Sequence, residues 1–273
     1  KHTKNPKTRE HSPHTKGWHS ADESVAPYHR EQHGEFPIDP ESLVLTTSTS
    51  EGYSYVFRLL CNPDDEVLVP KPSYPLFEFL ADLQDVKLVP YPLIYDHGWQ
   101  IDFHSLERAI GPATRAPVLV NPNNPTGSYV NAQEREELNA LCRAHGLALI
   151  VDEVFLDYAL DGGPHPSFAV NDVALTFTLS GISKISALPQ MKLAWIAASG
   201  PNDQVTAAMQ RLEVIADTFL SVSAPVQLAA QTMLAQREPV QSQIRARVRQ
   251  NLAELDRQLA QQKTCARLEV EGG

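Results

Sequence analysis

The sequence contains few cysteines and no long apolar run. Only three of its 273 residues are cysteine, Cys61, Cys142 and Cys265, which are too few and too scattered for a disulfide framework or a cysteine-based metal site. No apolar stretch approaches the roughly 20 residues that a membrane-spanning helix needs. The first 20 residues are polar and lack the apolar core of a secretory signal. We therefore expect a reducing, cytoplasmic location, with neither a membrane nor a metal ion as partner.

Positive charge is also scarce. Asp and Glu (33) outnumber Lys and Arg (23), and the net charge of −10 at pH 7 argues against a surface for nucleic acid or anionic lipid. No G-x-G-x-x-G or P-loop pattern follows a predicted strand, which makes a nucleotide-binding domain the least favoured function. Residues 1–20 are locally basic, with five Lys or Arg and one Glu. We predict an irregular, solvated segment there, because the spacing of its histidines indicates no metal site.

The remaining chain alternates apolar strands with amphipathic helices. Strand-like runs occupy residues 42–47, 66–70, 86–93, 116–120, 147–155, 174–179 and 193–199. Between two of them a clear helix is predicted, with Asn131 as its N-cap, Glu134 in the capping-box position and Gly146 at its end. Buried strands separated by helices are typical of a three-layer α/β fold. The sequence therefore predicts a mostly parallel, seven-stranded sheet flanked by helices.

Beyond Pro201 the pattern changes to long helices. One of them, after Pro239, carries a stripe of apolar residues at helical spacing: Val240, Ile244, Val248, Leu252, Leu255 and Leu259. The last eight residues of the sequence, ARLEVEGG, form a strand-like run followed by two glycines. We expect this run to lead into a further structural element.

The segments that follow the strands carry the chemically interesting residues, since ligands of open α/β sheets bind beyond the carboxyl ends of the strands. In NPNNPTG (121–127), prolines and a glycine define a rigid turn that holds Asn124 at the rim. Asp152 ends an apolar strand, where an unpaired carboxylate is costly to bury. Lys184 follows another strand, among small and apolar residues and with no charged neighbour before Lys192. Lys184 is thus either an ordinary lysine at a strand end or a partly desolvated, reactive amine.

In combination these segments resemble the class I/II aminotransferases, fold-type-I enzymes that use pyridoxal 5′-phosphate (PLP). The resemblance lies in N-P-x-N-P-T-G, D-E-x-[YF] and Ser-Lys with a basic residue eight positions on, and it extends from about Pro13 to Gly273. It implies transfer of an amino group between an amino acid and a 2-oxo acid, in a homodimer. It also implies a PLP-binding large domain at 21–235, with a long helix and the start of a truncated small domain at 236–273.

The resemblance assigns roles to three side chains at the centre of the site. Lys184 would form the internal aldimine with the cofactor aldehyde and, once freed by substrate, move a proton between the substrate α-carbon and the cofactor. Asp152 would pair with the pyridine nitrogen and keep it protonated, so that the ring accepts electrons. Asn124 would hydrogen-bond the phenolic oxygen of the ring.

The remaining cofactor contacts that the resemblance implies surround the ring and its phosphate. Tyr74 would stack on the ring, unless it is a core tyrosine. The start of a helix suits a phosphate, because its N–H groups are free and its dipole favours anions; the same residues could form no more than a helix cap. The full set of cofactor-binding residues is Ser48, Thr49, Ser50, Tyr74, Asn124, Asp152, Phe155, Ser183 and Lys192.

Several positions depart from the family pattern. Lys192 replaces an arginine that would grip phosphate with two hydrogen bonds. Phe155 replaces a tyrosine, Gly181 a serine and Ser48 a glycine, while His11 stands in place of a tyrosine that reaches the phosphate of the partner subunit. Each of these changes removes or alters a contact that the family makes with its cofactor.

The largest departure concerns the substrate. The family's small domain supplies an arginine for the substrate carboxylate, and no arginine follows Arg267 here. This absence leaves open a truncated PLP-binding protein with little or no activity. A PLP-dependent β-eliminating lyase is a second alternative to an aminotransferase, because the motifs specify the electron sink and not the fate of the carbanion. Ser221 and Ser223 lie either near the neighbouring subunit's site or at a helix cap.

Overall fold

The structure, a computed structural model, describes residues 16–17, 19–33, 38–160, 163 and 165–273. The strands are β1 (Leu43–Thr46), β2 (Glu66–Lys71), β3 (Lys87–Tyr95), β4 (Trp99–Ile101), β5 (Thr114–Val120), β6 (Leu149–Asp152), β7 (Thr176–Gly181) and β8 (Ala194–Ser199). The helices are α1 (His19–His33), α2 (Thr49–Leu60), α3 (Leu76–Asp82), α4 (Phe103–Arg108), α5 (Ala132–His145), α6 (Ile182–Ile185), α7 (Asn202–Asp217), α8 (Ala224–Ala235) and α9 (Arg237–Leu259). Three short 3₁₀ helices span Pro40–Ser42, Phe168–Val170 and Pro189–Met191.

The strands form one mixed sheet in the order β1-β8-β7-β6-β5-β2-β3-β4. Its centre is parallel, since β6–β7, β5–β6, β2–β5 and β2–β3 all pair in parallel, and the edge pairs β1–β8, β7–β8 and β3–β4 are antiparallel. The α/β prediction is confirmed, but the described chain has eight strands rather than the expected seven. The additional strand, β4, has three residues and follows a tight turn at His97 and Gly98, both at positive φ. A strand this short carries no periodic pattern that a sequence could reveal.

The helices cover both faces of the sheet. Adjacent strand residues enter different hydrophobic clusters: Val118 and Ile150 pack in one, whereas Leu119 and Leu149 pack in another. This alternation follows from the two-residue period of a strand. The predicted three-layer arrangement therefore holds, with an apolar core on each side of the sheet.

The helix predicted after residue 130 is α5, and its ends follow the sequence signals. The side chain of Asn131 accepts a hydrogen bond from the Glu134 amide (2.9 Å), and the Glu134 carboxylate accepts one from the Asn131 amide (3.0 Å). Gly146 ends the helix in the left-handed region at φ 64°. Such reciprocal capping satisfies backbone groups that a helix end leaves unpaired.

The carboxyl-terminal part of the chain differs most from expectation. None of the six residues in the apolar stripe of α9 is fully buried within the described chain, and Leu255 is 45% exposed. The strand-like run that follows α9 forms an isolated bridge between Ala159 and Gly272 rather than a strand of the sheet. Its backbone also bonds Gly127, since the Glu271 amide (3.1 Å) and the Gly272 amide (2.9 Å) both donate to the Gly127 carbonyl. Ser223 occupies the N-cap position of α8, but its side chain makes no capping hydrogen bond.

Residues 1–15, which include His11, lie outside the described part of the chain. Helix α1 begins at His19, so the predicted irregular segment 1–20 overlaps its first two residues. Among the helices of the described ranges, none combines the length and the apolar character needed to cross a bilayer.

Candidate active site

A cleft of about 170 Å³ lies beyond the carboxyl ends of β5, β6 and β7. Eight of the ten residues predicted for the site line it: Ser48, Thr49, Tyr74, Asn124, Asp152, Phe155, Ser183 and Lys184. Its other lining residues are small or apolar: Val120, Val154, Gly181 and Ala194. Six chain segments that are separated in sequence thus meet at the edge of the sheet where ligands bind in open α/β folds.

Ser50 and Lys192 are not among the residues that line this cleft. Ser50 lies in the first turn of α2. Lys192 is exposed and has a left-handed backbone (φ 53°) directly after a 3₁₀ helix. The backbone between Lys184 and Lys192 is irregular, with positive φ at Ala187 (52°), and the spacing of eight residues does not place Lys192 among the residues that line the cleft. The phosphate-binding role of these two residues stays a prediction.

Asp152 forms the base of the cleft and is 8% exposed. Its Oδ1 accepts a hydrogen bond from the Val154 amide (3.1 Å), and its Oδ2 accepts one from the Tyr53 hydroxyl (3.2 Å). Burial raises the pKa of Asp152 to about 6, although these two hydrogen bonds and the charge of Lys184 act in the opposite direction. A cation beside this carboxylate would favour its ionised form.

Tyr53 is a site residue that the sequence analysis missed. It lies on α2, is 2% exposed and packs its ring edge-on against Phe77 (5.2 Å between centroids). The helical period contained a signal, because Tyr53 follows Thr49 by four residues and therefore shares its face of the helix. Without the position of Asp152, however, a buried tyrosine in a helix is predicted to be an ordinary core residue.

Replacing Tyr53 with phenylalanine is expected to lower the free energy of unfolding by about 1 kcal/mol, since one buried hydrogen bond is lost while the ring is kept. The same change removes a donor that favours the ionised carboxylate, so the pKa of Asp152 should rise further. Urea unfolding and NMR titration of the Asp152 carboxyl carbon would measure both effects.

Tyr55 provides the matched control for this variant. It lies on the same helix, is 3% exposed and packs against Phe219 rather than against Asp152. Tyr55→Phe should therefore leave the titration of Asp152 unchanged. Equal titration curves for wild type and Tyr53→Phe would show that the hydroxyl does not act on the carboxylate.

Lys184 lies on the short helix α6, directly after β7. Its Nζ is 5.4 Å from the centroid of the Phe155 ring, a distance at which a cation and an aromatic face attract each other. The side chain is exposed, so the protein alone does not provide the desolvation that one reading of the sequence suggested. The structure instead places the amine at the open side of the cleft, with Phe155 beside it.

The turn that carries Asn124 is held by its own backbone. The Gly127 amide donates to the Asn123 carbonyl (2.7 Å), and the Asn123 amide donates to the Ser128 carbonyl (2.8 Å). The Asn123 side chain also donates to the Pro72 carbonyl (3.3 Å) and so joins this turn to the loop before Tyr74. Asn124 is exposed towards the cleft on a backbone that is fixed from behind.

Tyr74 is not a core residue, because it is 41% exposed and its ring meets Phe77 edge-on (6.1 Å, 89°). At the neighbouring start of α2, the Ser48 hydroxyl accepts a hydrogen bond from the Glu51 amide (3.2 Å). The amides of Thr49 and Ser50, which precede it, have no partner within the described chain. The helix is therefore capped and still presents two free N–H groups, which suits an anion.

These residues fit PLP, the cofactor that the resemblance implies. Asp152 offers a buried carboxylate with a raised pKa, which a protonated ring nitrogen would complement. Val120, Val154 and Ala194 provide apolar surface for the faces of a ring, and the free amides of α2 suit its phosphate. Lys184 supplies the amine that an aldehyde requires.

Comparison with known structures places this fold among aminotransferases. An alanine aminotransferase from Pyrococcus furiosus has the same fold, with a TM-score of 0.86 over 95% of this chain and 66% of its own, at 22% identity. An N-succinyldiaminopimelate aminotransferase from Mycobacterium tuberculosis aligns with a TM-score of 0.82 over 97% of this chain and 68% of its own, at 25% identity. An aminotransferase from Clostridium difficile 630, solved with PLP bound, shares the fold (TM-score 0.82, 98% and 69% covered) at 17% identity.

Sequence comparison gives a consistent result. The glutamate-pyruvate aminotransferase AlaA of Escherichia coli is 30% identical over 221 residues, which are 81% of this chain and 54% of the relative. The alanine aminotransferase of Mycobacterium bovis is 30% identical over 208 residues, 76% of this chain and 48% of the relative. The chain spans about half the length of these curated relatives. The family model for aminotransferase class I and II matches residues 2–271. The chain therefore belongs to the class I and II aminotransferases, whose cofactor is pyridoxal 5′-phosphate.

Proposed function

We propose that this chain carries the cofactor site of an aminotransferase that exchanges an amino group between an amino acid and a 2-oxo acid. The observation that supports this most strongly is the convergence of Lys184, Asp152 and Asn124 on one cleft. The names of the relatives make L-alanine, L-glutamate and pyruvate the first substrates to test.

Lys184 is the catalytic residue in this proposal. Its amine would hold the cofactor through the aldehyde and would act as the general base that takes the proton from the substrate α-carbon. When bound, PLP supplies the electron sink that makes this proton removable. The Phe155 ring, whose centroid is 5.4 Å from Nζ, attracts the amine and keeps it beside the cleft.

Asp152 and Asn124 orient and polarise the ring. Asp152 would pair with the ring nitrogen and keep a proton on it, and the Tyr53 hydroxyl donates to this carboxylate at 3.2 Å. Asn124 would donate to the phenolic oxygen, and Tyr74 would cover one face of the ring. Ser48 and Thr49, with the free amides at the start of α2, bind the phosphate, and Ser50 and Lys192 are proposed to add to this contact.

Three further features belong to the proposal. A homodimer would cover the exposed side of the cleft and bring the segment around Ser221 close to the partner's site. A cytoplasmic location is consistent with the composition. The division into a large domain at 21–235 and a second unit from 236 is supported by the start of α9 at Arg237.

A cofactor-binding chain with little turnover is the second candidate. No arginine is among the residues that line the cleft in the described chain, so a partner for the substrate carboxylate is not found there. This observation favours binding of cofactor without efficient catalysis by these residues alone. β-Elimination would use the same amine and the same electron sink.

One experiment separates these possibilities. Purified protein is saturated with PLP, and the visible absorption band of the bound cofactor is followed as L-alanine is added. A stoichiometric loss of the band that pyruvate reverses would support transamination, whereas a band that never responds would indicate binding without turnover. Ammonia released from L-serine would indicate elimination. L-Lactate, which matches alanine in size but has no amine, serves as the control, and failure to bind PLP would disprove the proposal.

A further inference from the structure

The carboxyl end of α6 is held by two side chains from other parts of the fold. A helix of four residues forms few internal hydrogen bonds, and the Lys184 carbonyl accepts a long one from the Ala187 amide (3.3 Å). The Tyr158 hydroxyl donates to the carbonyl of Lys184 (2.6 Å), and the Gln241 side-chain amide donates to the carbonyl of Ile185 (2.9 Å). Both donors are buried, with Tyr158 6% and Gln241 0% exposed. The backbone that carries Lys184 is therefore tied to two separate elements.

Gln241 makes a second contact through the same nitrogen. Its Nε2 donates to Oδ2 of Asp157 (2.6 Å), whose Oδ1 accepts a hydrogen bond from the Tyr28 hydroxyl (3.0 Å). Asp157 lies in the loop after β6, five residues beyond Asp152. A primary amide has two N–H groups, so Gln241 can bind the helix of Lys184 and the loop of Asp152 at the same time.

The face of α9 that contacts these elements is polar. Arg237, Gln241, Arg245 and Arg249 follow one another at four-residue spacing and therefore share a face. Arg245 donates to the carbonyl of Asp157 (3.2 Å) and to Oε1 of Gln241 (3.3 Å), and Arg249 donates to the carbonyl of Leu160 (3.3 Å). Gln241 is the buried residue of α9. Hydrogen bonds with defined directions thus set the position of the helix against the site, and each polar group of Gln241 has a partner.

We propose that Gln241 is a positioning residue for Lys184. It joins α6 to the loop after β6, so that the amine of Lys184 and the carboxylate of Asp152 keep a constant mutual geometry. The proposal rests on the proposed function in one respect, which is that Lys184 binds PLP. Loss of the amide frees the end of α6, and small displacements of a reacting group reduce rates strongly.

Gln241→Glu is the informative variant because it keeps the size of the side chain but replaces both N–H donors with an acceptor. The new carboxylate faces Asp157 and the Ile185 carbonyl, which are both acceptors. Gln243→Glu is the matched control, because it makes the same change on the same helix. Gln243 is exposed, and its side chain donates to the Pro239 carbonyl (3.0 Å). Tyr158→Phe removes the other bond to α6 by loss of a single hydroxyl.

The full chain is mixed with PLP, reduced with borohydride after different times, and analysed by mass spectrometry for cofactor fixed to Lys184. We expect covalent capture to be about tenfold slower in Gln241→Glu than in wild type or Gln243→Glu, with a smaller loss in Tyr158→Phe. The circular dichroism of bound PLP should change in Gln241→Glu and in Tyr158→Phe, since this signal reports the orientation of the ring. Measurements are made well below the unfolding temperature of each variant, so that loss of stability does not account for the difference.

The outcomes are distinct. Capture by Gln241→Glu at the wild-type rate with an unchanged spectrum, or equal slowing in Gln243→Glu, would overturn the positioning role alone. If Gln241→Glu does not fold, Gln241→Met, which removes both donors without adding a charge, takes its place, and capture by that variant at the wild-type rate would overturn the role as well. Wild-type protein that never captures PLP would overturn the proposed function and this proposal together.

Discussion

Replacing Lys184 with alanine is expected to lower the proposed rate of amino-group transfer at least about 10³-fold, because in the proposed function the same amine would serve as nucleophile and as general base. Among the residues that line the cleft in the described chain, Lys184 is the basic one, and Lys192 is not among them. We therefore expect no other lining side chain to take over the proton transfer. The measurement is a single turnover, in which the cofactor band is followed after addition of L-alanine.

Two controls make this result specific to the amine. Lys87→Ala removes an exposed lysine that pairs with Asp64 (2.8 Å) at the start of β3, and it should leave turnover unchanged. Methylamine added to Lys184→Ala should restore part of the rate, since a small amine can enter the space left by the side chain. If Lys184→Ala keeps more than about a tenth of wild-type turnover, the base is a different group.

Replacing Asp152 with asparagine is expected to have opposite effects on catalysis and on stability. Turnover should fall at least about 10²-fold, because a neutral amide no longer favours the protonated ring nitrogen. The ligand-free protein should become more stable near neutral pH, since the variant no longer buries a carboxylate that must ionise there. An asparagine can still accept a hydrogen bond from the Val154 amide and contact the Tyr53 hydroxyl.

The pH dependence follows from the direction of the pKa shift. Burial raises the pKa of Asp152 from 3.8 to about 6 in the folded protein. Well below pH 3.8 the carboxyl is protonated in both the folded and the unfolded chain, so it contributes nothing to the pH dependence. As the pH rises from about 4 to 6, the unfolded chain releases its proton first, and the folded state loses stability. Above pH 6 the free energy of unfolding of the wild type, measured relative to that of Asp152→Asn, is up to about 3 kcal/mol lower than at low pH.

Urea unfolding of both proteins without PLP, at pH 4 and at pH 7.5, tests this prediction. The difference between variant and wild type is the useful quantity, because other buried carboxylates with raised pKa values, such as Glu153 and Asp22, titrate equally in both. Addition of PLP should stabilise the wild type more than the variant. If the difference in free energy of unfolding between variant and wild type is the same at both pH values, the pKa of Asp152 is not raised in the folded protein.

Much of the candidate site could be predicted from short sequence segments. Asn124, Asp152 and Lys184 each follow a strand, and the parallel pairing of β5, β6 and β7 brings those strand ends to one edge. Local chemistry was sufficient for α5 as well, since Asn131 and Glu134 form their capping box within four residues of chain. The ends of α5 and the convergence of these three strand ends therefore follow from local sequence, whereas the cofactor-binding roles of the residues stay predictions.

Features that depend on distant contacts do not follow from local sequence. The apolar stripe of α9 suggested which face would be buried, yet the buried residue is Gln241, because Asp157 and the Ile185 carbonyl offer it hydrogen bonds. The local sequence around Tyr53 does not indicate that its hydroxyl contacts Asp152, which is 99 positions away. The short strand β4 forms only because β3 provides its partner.

The sequence by itself determined the α/β class, the family and the order of the chemical groups along the chain, since residue type, short spacing and strand periodicity carry that information. The tertiary structure decided which polar groups meet: that Tyr53 supports Asp152, that Gln241 ties α9 to α6, and that Lys192 stands outside the cleft. The physical reason is that hydrogen bonds act over about 3 Å in a defined direction. Only the folded backbone sets such distances between residues that are far apart in sequence.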